Sequence, residues 1–494
     1  MFQNSGDVQV TEPICVVPSV KDCLFLRHTR LWARFMRTLV IGILIVGGGL
    51  LPLLAVDIPS GIAESSTCGG MSWMDCAKIA WRYFMPYPQG GWDSSTGLHY
   101  DTYNWHYFTL WGLAAYIIAL VHADELGIVD TLYPFDVRAV KVLTFLNNEA
   151  LTSTGLPYLA YDATTGSPAT NLDANMGPTN VADYGRLLIA LYLLKQRALS
   201  NYPYSAIPSM VDSAVARIDT TRLLPQGSAA DDFYRYYFLQ GFRLWGRSDL
   251  NFDWFKTTYQ NGPWADSSKL FGVSNVPLTK IDSEPFLNFI FELNPSSDFM
   301  TLARRVYEVQ EARWQQTGNL TAWTEGALSE DPHFVYEWIV LPPNNYWVIQ
   351  GPDQTPGVYL THGQNLPVIF TKTALGMHAV FNTQYTSTLA QQLIQHSPVL
   401  YGSNGFFEGV SESSVIDSAM HVQTEEMVID AADYVLSQPS GSTASSVSTT
   451  SSSTSILILE YNSRAVPALA LILMTATLFL ATRLRRKRHA EHAI

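Results

Sequence analysis

Cysteine is scarce in this sequence, with four in 494 residues. Cys15 and Cys23 lie near the N-terminus, and Cys68 and Cys76 follow the first long hydrophobic run. No C-x-x-C pair is present, so a zinc site is not predicted. A disulfide between Cys68 and Cys76 would close a small loop before the first predicted helix, and two free thiols are the alternative.

Signatures of several enzyme classes are also absent. The sequence has no G-x-S-x-G elbow, no phosphate-binding loop and no H-E-x-x-H motif. His99 and His106 are close in sequence, but we interpret them as polar loop residues and not as metal ligands. We therefore predict neither a metal nor a cofactor.

Basic residues are fewer than acidic ones: the sequence has 30 Lys and Arg and 43 Asp and Glu, which gives a net charge of −13. A third of those cations lie in residues 1–38 and 483–494, so the stretch between these tails is more acidic still. An acidic surface repels phosphates, which excludes nucleic acid as a partner. Neutral or cationic ligands, or solubility alone, fit this balance.

Two uncharged hydrophobic runs, 39–56 and 465–482, are each about 18 residues long, near the lower limit for a membrane-spanning helix. Basic residues flank the outer side of each run, which predicts that both termini are cytoplasmic. The protein is then bound to the lipid bilayer of the cell membrane, and its main domain is extracytoplasmic. A cleaved signal peptide is the alternative for the first run.

Composition divides the rest of the chain. A Ser/Thr-rich segment at 437–455 is typical of a flexible linker or a glycosylated stalk. The predicted organisation is therefore a tail at 1–38, a transmembrane helix at 39–56, a domain at 57–436, the linker, a transmembrane helix at 465–482 and a tail at 483–494.

Helical periodicity recurs throughout residues 57–436 and predicts about ten to twelve helices. The main ones are expected at 75–84, 105–126, 136–150, 183–194, 208–218, 231–245, 298–318, 371–396 and 421–436. Strand-like stretches are few: 334–341, 347–350 and 358–360. An even number of helices with loops at one end favours an all-α toroid with a few short strands.

Carboxylates next to aromatic residues recur in the predicted loops. Aromatic rings stack on the apolar faces of sugars, and glycoside hydrolysis needs two carboxyl groups, one protonated and one ionised. The pattern is compatible with carbohydrate chemistry. Such an acid can equally be a helix cap, and Asp183 and Asp298 fit that role.

Several segments resemble the DUF3131 family of glucoamylase-like proteins. They are IAWRYFMPYPQGGWDSSTGLHY, LWGLAAYIIALVHADELGIVD, GLPYLAYDATTG, PTNVADYGRLLIALYLL, IDSEPFLNFIFEL, TAWTEGALSEDPHFVYEWIV, TKTALGMHAVF, GFFEGVSES and HVQTEEMVIDAADYVL, in the family's order. The resemblance implies an (α/α)6-type toroid related to glycosidases, some of which act on β-1,2-glucans.

The resembling segments also imply the site residues. Glu284 and Glu412 are predicted as the catalytic acid/base pair. The predicted substrate-binding carboxylates are Asp183, Glu325, Glu337 and Glu425, and the predicted stacking platforms are Trp92, Trp105, Trp323 and Trp338.

The leading hypothesis is a membrane-anchored, extracytoplasmic glycoside hydrolase or transglycosylase that acts on a surface or environmental oligo- or polysaccharide. A non-catalytic glycan-binding or cell-envelope structural protein on the same scaffold is the alternative. An accessory subunit of a surface glycosyltransferase or export system is a third.

Overall fold

Residues 67–169, 177–202, 205–223, 233–361, 366–394 and 402–438 are described by the structure, a computed structural model. Those up to Val435 belong to one compact unit. Of the second unit, Leu436–Ile494, only residues 436–438 are described.

Twelve α-helices lie in these residues, which confirms the predicted number and the mainly helical class. They are α1 (Trp73–Trp81), α2 (Leu110–Glu125), α3 (Phe135–Asn148), α4 (Val181–Asn201), α5 (Ile207–Ala216), α6 (Phe233–Leu244), α7 (Asp253–Asn261), α8 (Glu284–Glu292), α9 (Ser297–Thr317), α10 (Thr371–Phe381), α11 (Gln384–Ile394) and α12 (Val422–Ser437).

Ten short strands in the same residues form four small antiparallel sheets. They are β1 (Thr67–Cys68), β2 (Met71–Ser72), β3 (Tyr107–Thr109), β4 (Ala160–Asp162), β5 (Glu325–Ala327), β6 (Phe334–Leu341), β7 (Asn345–Gln350), β8 (Val368–Phe370), β9 (Gly409–Ser411) and β10 (Ile416–Asp417). The strand predicted at 358–360 is wrong: this segment joins no ladder, and Leu360 alone donates its N–H to Ile349 of β7.

Burial differs strongly between inner and outer helices. In α2, 14 of 16 residues are buried, whereas α7 buries one of nine. The even-numbered helices form the inner set and the odd-numbered helices the outer set, although α1 also buries six of its nine residues. The inner helices pack in succession, α2 on α4, α4 on α6, α6 on α8 and α8 on α10. His122 of α2 pairs with Asp433 of α12 at 2.9 Å, which joins the last inner helix to the first. The arrangement is a ring of inner helices with an outer layer, as predicted.

Several predicted boundaries shift for local reasons. The helix expected at 105–126 begins only at Leu110, because β3 precedes it and the Thr109 side chain accepts from the N–H of Gly112. The helix expected at 371–396 is two helices, separated where Asn382 adopts a left-handed φ of 44°. Asp183 and Asp298 are not N-caps, since Asn180 and Ser296 cap those helices.

Both described cysteines are buried and free. The Cys76 thiol points toward the backbone carbonyl oxygen of Cys68, with Sγ and O 4.0 Å apart. The predicted disulfide is therefore not formed in this structure.

Among the described helices, none combines the length and the apolarity needed to cross a bilayer. The hydrophobic runs 39–56 and 465–482, both tails and almost all of the predicted linker lie outside the described residues. Their assignment stays a prediction.

Two glycines allow α4 and α6 to approach closely. A Cβ added at Gly241 of α6 would lie 2.0 Å from the carbonyl oxygen of Gly185 in α4. That oxygen belongs to the helix backbone, so only separation of the helices can relieve the contact.

We expect Gly241→Ala to lower the free energy of unfolding by about 1–3 kcal/mol, because overpacking outweighs the ~1 kcal/mol gain in helix propensity. Urea denaturation of the purified full-length protein measures this difference. Gly351→Ala is the control, since the nearest atom to its added Cβ is 4.0 Å away. An unchanged or raised stability of Gly241→Ala would contradict this account of the helix contact.

Candidate functional site: an acidic, aromatic cavity

A cavity of about 1340 Å³ lies at one end of the inner ring. The N-terminal halves of α2, α4, α6 and α12, with the residues just before α2 and α12, contribute lining residues: Thr109 and Trp111, Ala182 and Asp183, Tyr234 and Phe238, and His421 and Gln423. Inner helices of a toroid run in the same direction, so their N-termini collect at one end. The loop 101–105 and strand β6 complete the wall.

Three carboxyl groups line this cavity: Asp101, Asp183 and Glu325. Lys280 is the one Lys or Arg among its described lining residues, which also include His333 and His421. Asp101 is held by the fold, because its carboxylate accepts from the Thr109 N–H at 2.8 Å and pairs with His99 at 3.1 Å. Asp183 and Glu325 are the carboxyl groups left for chemistry.

Asp183 lies in the first turn of α4 and is 9% exposed. Its carboxyl group interacts with the Asn180 side chain and with the backbone N–H of Trp111 in the first turn of α2. Burial nonetheless raises the pKa of Asp183 to about 7, and the negative charge of Asp101 adds to the effect. A carboxyl group that titrates near neutral pH can exchange a proton with substrate or water.

Glu325 begins β5 and faces Tyr336 directly across the ladder to β6. Its side chain is therefore on the same side of the sheet as Tyr336 and Trp338, and it is 8% exposed. Burial, and then the neighbouring charge of Glu284, raise the pKa of Glu325 well above its usual range. Burial therefore favours the protonated form of this acid at the cavity wall.

Asp183 and Glu325 lie on the same part of the wall. The negative charges of both raise the pKa of the Tyr336 phenol, after the larger effect of burial. Tyr336 is partly exposed and its ring is parallel to that of Trp338, with centroids 5.4 Å apart. An aromatic surface thus borders the two acids.

The predicted catalytic residue Glu284 does not reach the cavity. It is 1% exposed, and its carboxylate accepts from Lys372 Nζ at 2.5 Å, with Arg186 at 3.9 Å. Lys372 also donates to Gln423, which does line the cavity. Glu284 is therefore one layer below the cavity floor, in an ion pair.

The other predicted catalytic residue, Glu412, lies elsewhere, and its carboxylate accepts from Arg313 at 2.5 Å. Glu337 is its neighbour, since the charge of Glu412 raises the pKa of Glu337 after the larger effect of burial. Side chains alternate along β6, so Glu337 points away from the face that carries Tyr336 and Trp338. The structure thus places Glu412 behind the sheet and does not bring it together with Glu284.

Glu337 and Glu425 have structural partners in place of a ligand. Glu337 is fully buried and accepts from the N–H of Val368 at 2.7 Å. Glu425 is fully buried as well and accepts from the N–H of Phe406 at 2.7 Å. Neither is among the residues that line the cavity.

Of the four predicted tryptophan platforms, two line the cavity and two do not. Trp92 is fully buried with Arg138 over its ring at 4.1 Å, and Trp323 is 1% exposed against Trp347. Trp105 and Trp338 line the cavity, although Trp338 itself is 2% exposed. Of the predicted rings only Trp105 is a partly exposed lining residue, and it is joined by rings that were not predicted: Tyr103, Tyr234, Phe334, Tyr336 and Phe407.

Sequence reasoning also missed Asp101, Tyr336, Lys280 and His421 as cavity residues. Two signals could have found most of them. A residue just before a predicted inner helix, such as His421, belongs to the end where helix N-termini collect. A residue two positions from Trp338 on a strand, such as Tyr336, shares its face.

Solved structures share this fold. An endo-β-1,2-glucanase from Chitinophaga pinensis, in complex with sophorotriose and glucose, is 11% identical with a TM-score of 0.55, covering 74% of this chain and 92% of that one. A putative glucoamylase from Bacteroides fragilis is 12% identical with a TM-score of 0.55, and the match covers 78% of this chain and 94% of that one. An endo-β-1,2-glucanase from Talaromyces funiculosus in complex with sophorose is 9% identical with a TM-score of 0.51, and the match covers 74% of this chain and 83% of that one. At such identities the likeness establishes the glucoamylase-like toroid fold alone.

No curated protein matches the sequence. Residues 75–437 match the model of a family described as "Protein of unknown function (DUF3131)", which is most of the chain and the whole ring of inner helices. The predicted resemblance is confirmed, and the chain belongs to the DUF3131 family.

Proposed function

We propose that this protein hydrolyses or transfers glycosidic bonds of an oligo- or polysaccharide bound in the cavity, with Glu325 as the general acid and Asp183 as the general base. The observation that carries the proposal is the pair of acids with raised pKa beside accessible aromatic rings. The fold supports it, because solved structures of similar fold include endo-β-1,2-glucanases in complex with sophorotriose and glucose or with sophorose.

The two acids suit different halves of the reaction. Glu325, kept protonated by burial, donates its proton to the glycosidic oxygen as the bond from that oxygen to the sugar breaks. Asp183, when ionised, takes a proton from the water or sugar hydroxyl that attacks the anomeric carbon. The incoming group supplies the proton that the leaving group consumed, so the reaction needs no cofactor.

The aromatic wall supplies binding. Tyr336 and Trp105 line the cavity, and the ring of Trp338 is stacked parallel to that of Tyr336. The apolar faces of sugar rings stack on such surfaces, while carboxylates and Lys280 offer partners to hydroxyl groups. A volume of about 1340 Å³ accommodates several sugar units and not one alone.

Glu325→Gln and Asp183→Asn should each lower turnover by about 100-fold or more, because each removes one proton-transfer step. Purified full-length protein is tested on a glycan panel that begins with β-1,2-glucan, with product analysis by chromatography. Glu412→Gln is the matched control and should retain activity, since its carboxylate lies behind the sheet. Full activity of Glu325→Gln would contradict the assignment, and binding without turnover by the wild type would favour the glycan-binding alternative.

The pKa of Asp183 also predicts a stability effect that needs no substrate. Between about pH 4 and pH 7 the folded protein keeps Asp183 protonated, whereas the unfolded chain ionises it. The folded state binds more protons there, so this group makes stability fall as pH rises through that window.

Asp183→Asn removes the titration and should therefore gain stability relative to the wild type as pH rises from 4 to 7, by a few kcal/mol at most. Denaturant unfolding of both proteins at pH 4, 5, 6 and 7 measures the difference. A difference that is constant across these pH values would show that Asp183 has an ordinary pKa.

We propose in addition that runs 39–56 and 465–482 anchor the domain on the outer side of a cell membrane. Their support is the distribution of basic residues in the sequence. External protease on intact cells should cut the domain and leave tags at both termini intact, while permeabilised cells lose the tags. Cleavage of the C-terminal tag in intact cells would contradict this topology, and a mature chain beginning near residue 57 would identify the first run as a signal peptide.

A further inference from the structure

One buried polar side chain of the cavity, the amide of Gln423, has no role in the proposed proton transfers. Gln423 is the second residue of α12, it lines the cavity and it is 4% exposed. Its Oε1 accepts a hydrogen bond from Lys372 Nζ at 3.1 Å. No described residue accepts a hydrogen bond from its Nε2. One half of the amide is thus held by the fold, and the other half is left to the cavity.

Lys372 decides which end of this amide faces the cavity. An ammonium group only donates hydrogen bonds, so the atom turned toward Lys372 must be the amide oxygen. Burial opposes the charged form of Lys372, but the negative charge of Glu284 and of other nearby carboxylates outweighs burial and raises its pKa. Lys372 therefore stays charged at neutral pH, and a reversed amide, with its NH2 toward the ammonium, is excluded.

Lys372 is itself held in place. It is fully buried in the first turn of α10, and its Nζ also donates to Glu284 Oε2 at 2.5 Å. Glu284 lies in the first turn of α8 and is 1% exposed. The contacts from Glu284 through Lys372 to Gln423 therefore connect three inner helices and hold the amide in one orientation.

The Nε2 hydrogens need an acceptor, because a donor that is taken out of water and left unpaired is unfavourable. Gln423 lines the cavity, whereas Lys372, to which its oxygen is turned, does not, so the NH2 group is directed at the cavity. Solvent satisfies this donor in the free protein, and an oxygen atom of a bound ligand replaces that solvent. Sugars carry hydroxyl and ring oxygens, all of which accept hydrogen bonds.

The amide is close to both proposed catalytic acids. The positive charge of Lys372, which holds the amide, opposes the rise in the pKa of Glu325 that burial causes. Val422, the residue before the amide, donates its N–H to the carbonyl oxygen of Asp101 at 2.9 Å. The charge of Asp101 in turn adds to the burial that raises the pKa of Asp183. A sugar between the two acids therefore lies within reach of this donor.

We propose that Gln423 is a substrate-binding residue, with its Nε2 donating a hydrogen bond to an oxygen of the sugar beside the scissile bond. The inference rests on the proposed function, because it takes the ligand of the cavity to be a sugar. A donor at a fixed point selects a sugar that carries an oxygen there, since a sugar without that oxygen leaves the buried donor unpaired. Gln423 transfers no proton, so it contributes to affinity and specificity.

Gln423→Glu separates this role from a structural one. The new side chain keeps an oxygen for Lys372 but exchanges the donor for an acceptor, and the Lys372 charge favours its ionised form at pH 8. In full-length protein that also carries Glu325→Gln to suppress turnover, we expect Gln423→Glu to weaken binding by about tenfold or more. Calorimetry at pH 8 measures binding of sophorotriose first, and then of neutral gluco-, galacto-, manno- and xylo-oligosaccharides.

Gln423→Met removes both the donor and the contact with Lys372, and it should weaken binding by a similar factor. Gln316→Glu is the matched control: Gln316 is exposed on α9, donates its amide to the carbonyl oxygen of Phe271 and does not line the cavity, so binding should be unchanged. Urea unfolding shows whether each variant is folded. If Gln423→Glu is not, the affinity of Gln423→Met decides the question.

An affinity of Gln423→Glu equal to that of its parent would overturn the inference, since accepting from Lys372 would then be the whole role of this side chain. A wild-type protein that binds a glycan without turnover contradicts the proposed hydrolysis, but the measurement on Gln423 still holds in that case. Absence of binding to every glycan of the panel overturns both.

Discussion

Buried ion pairs at the centre of the ring constrain the rest of the structure. Arg186 of α4 contacts carboxylates on α8 and α12, and Lys372 of α10 contacts Glu284 of α8. A buried charge without a partner costs several kcal/mol, so these helices can shift only together. Four of the six inner helices are thus fixed relative to one another directly below the cavity, which gives the cavity wall a rigid base.

The same network also shifts the pKa of one acid at the cavity wall. Lys372 is close enough to lower the pKa of Glu325, but it is engaged by Glu284, whose negative charge acts in the opposite direction. Burial has the largest effect, so the protonated form of Glu325 is favoured. Glu284, predicted as a catalytic residue, instead raises the pKa of Glu325 and pairs with the lysine that lowers it. Its contribution to the proposed chemistry is electrostatic and indirect.

Sequence periodicity was sufficient for the helices, because each inner helix must bury most of its surface and each outer helix only one stripe. It could not decide which acids face the cavity. Asp183 and Glu284 both occupy the first turn of an inner helix, yet one lines the cavity and the other lies beneath it. That difference depends on long-range contacts, such as Lys372 with Glu284, which leave no local pattern.

One error was avoidable, because Glu337 and Trp338 were assigned to the same site although adjacent residues of a strand face opposite sides. Trp338 lines the cavity, whereas Glu337 lies on the opposite side of the sheet, close to Glu412. Applying the two-residue period to the predicted strand would have separated these residues without a structure. Secondary structure was therefore more informative about the site than the resemblance of short segments.

The shortage of cations in the sequence has two distinct outcomes inside the ring. Where surplus carboxyl groups border an open cavity, as for Glu325 and Asp183, burial raises their pKa and favours the protonated form. Where they lie deeper, as for Glu426, burial also raises the pKa, but Arg186 supplies a positive charge at 2.6 Å. Depth and ion-pair partners, and not residue type, decide whether a carboxyl group faces the cavity or takes part in an ion pair below it.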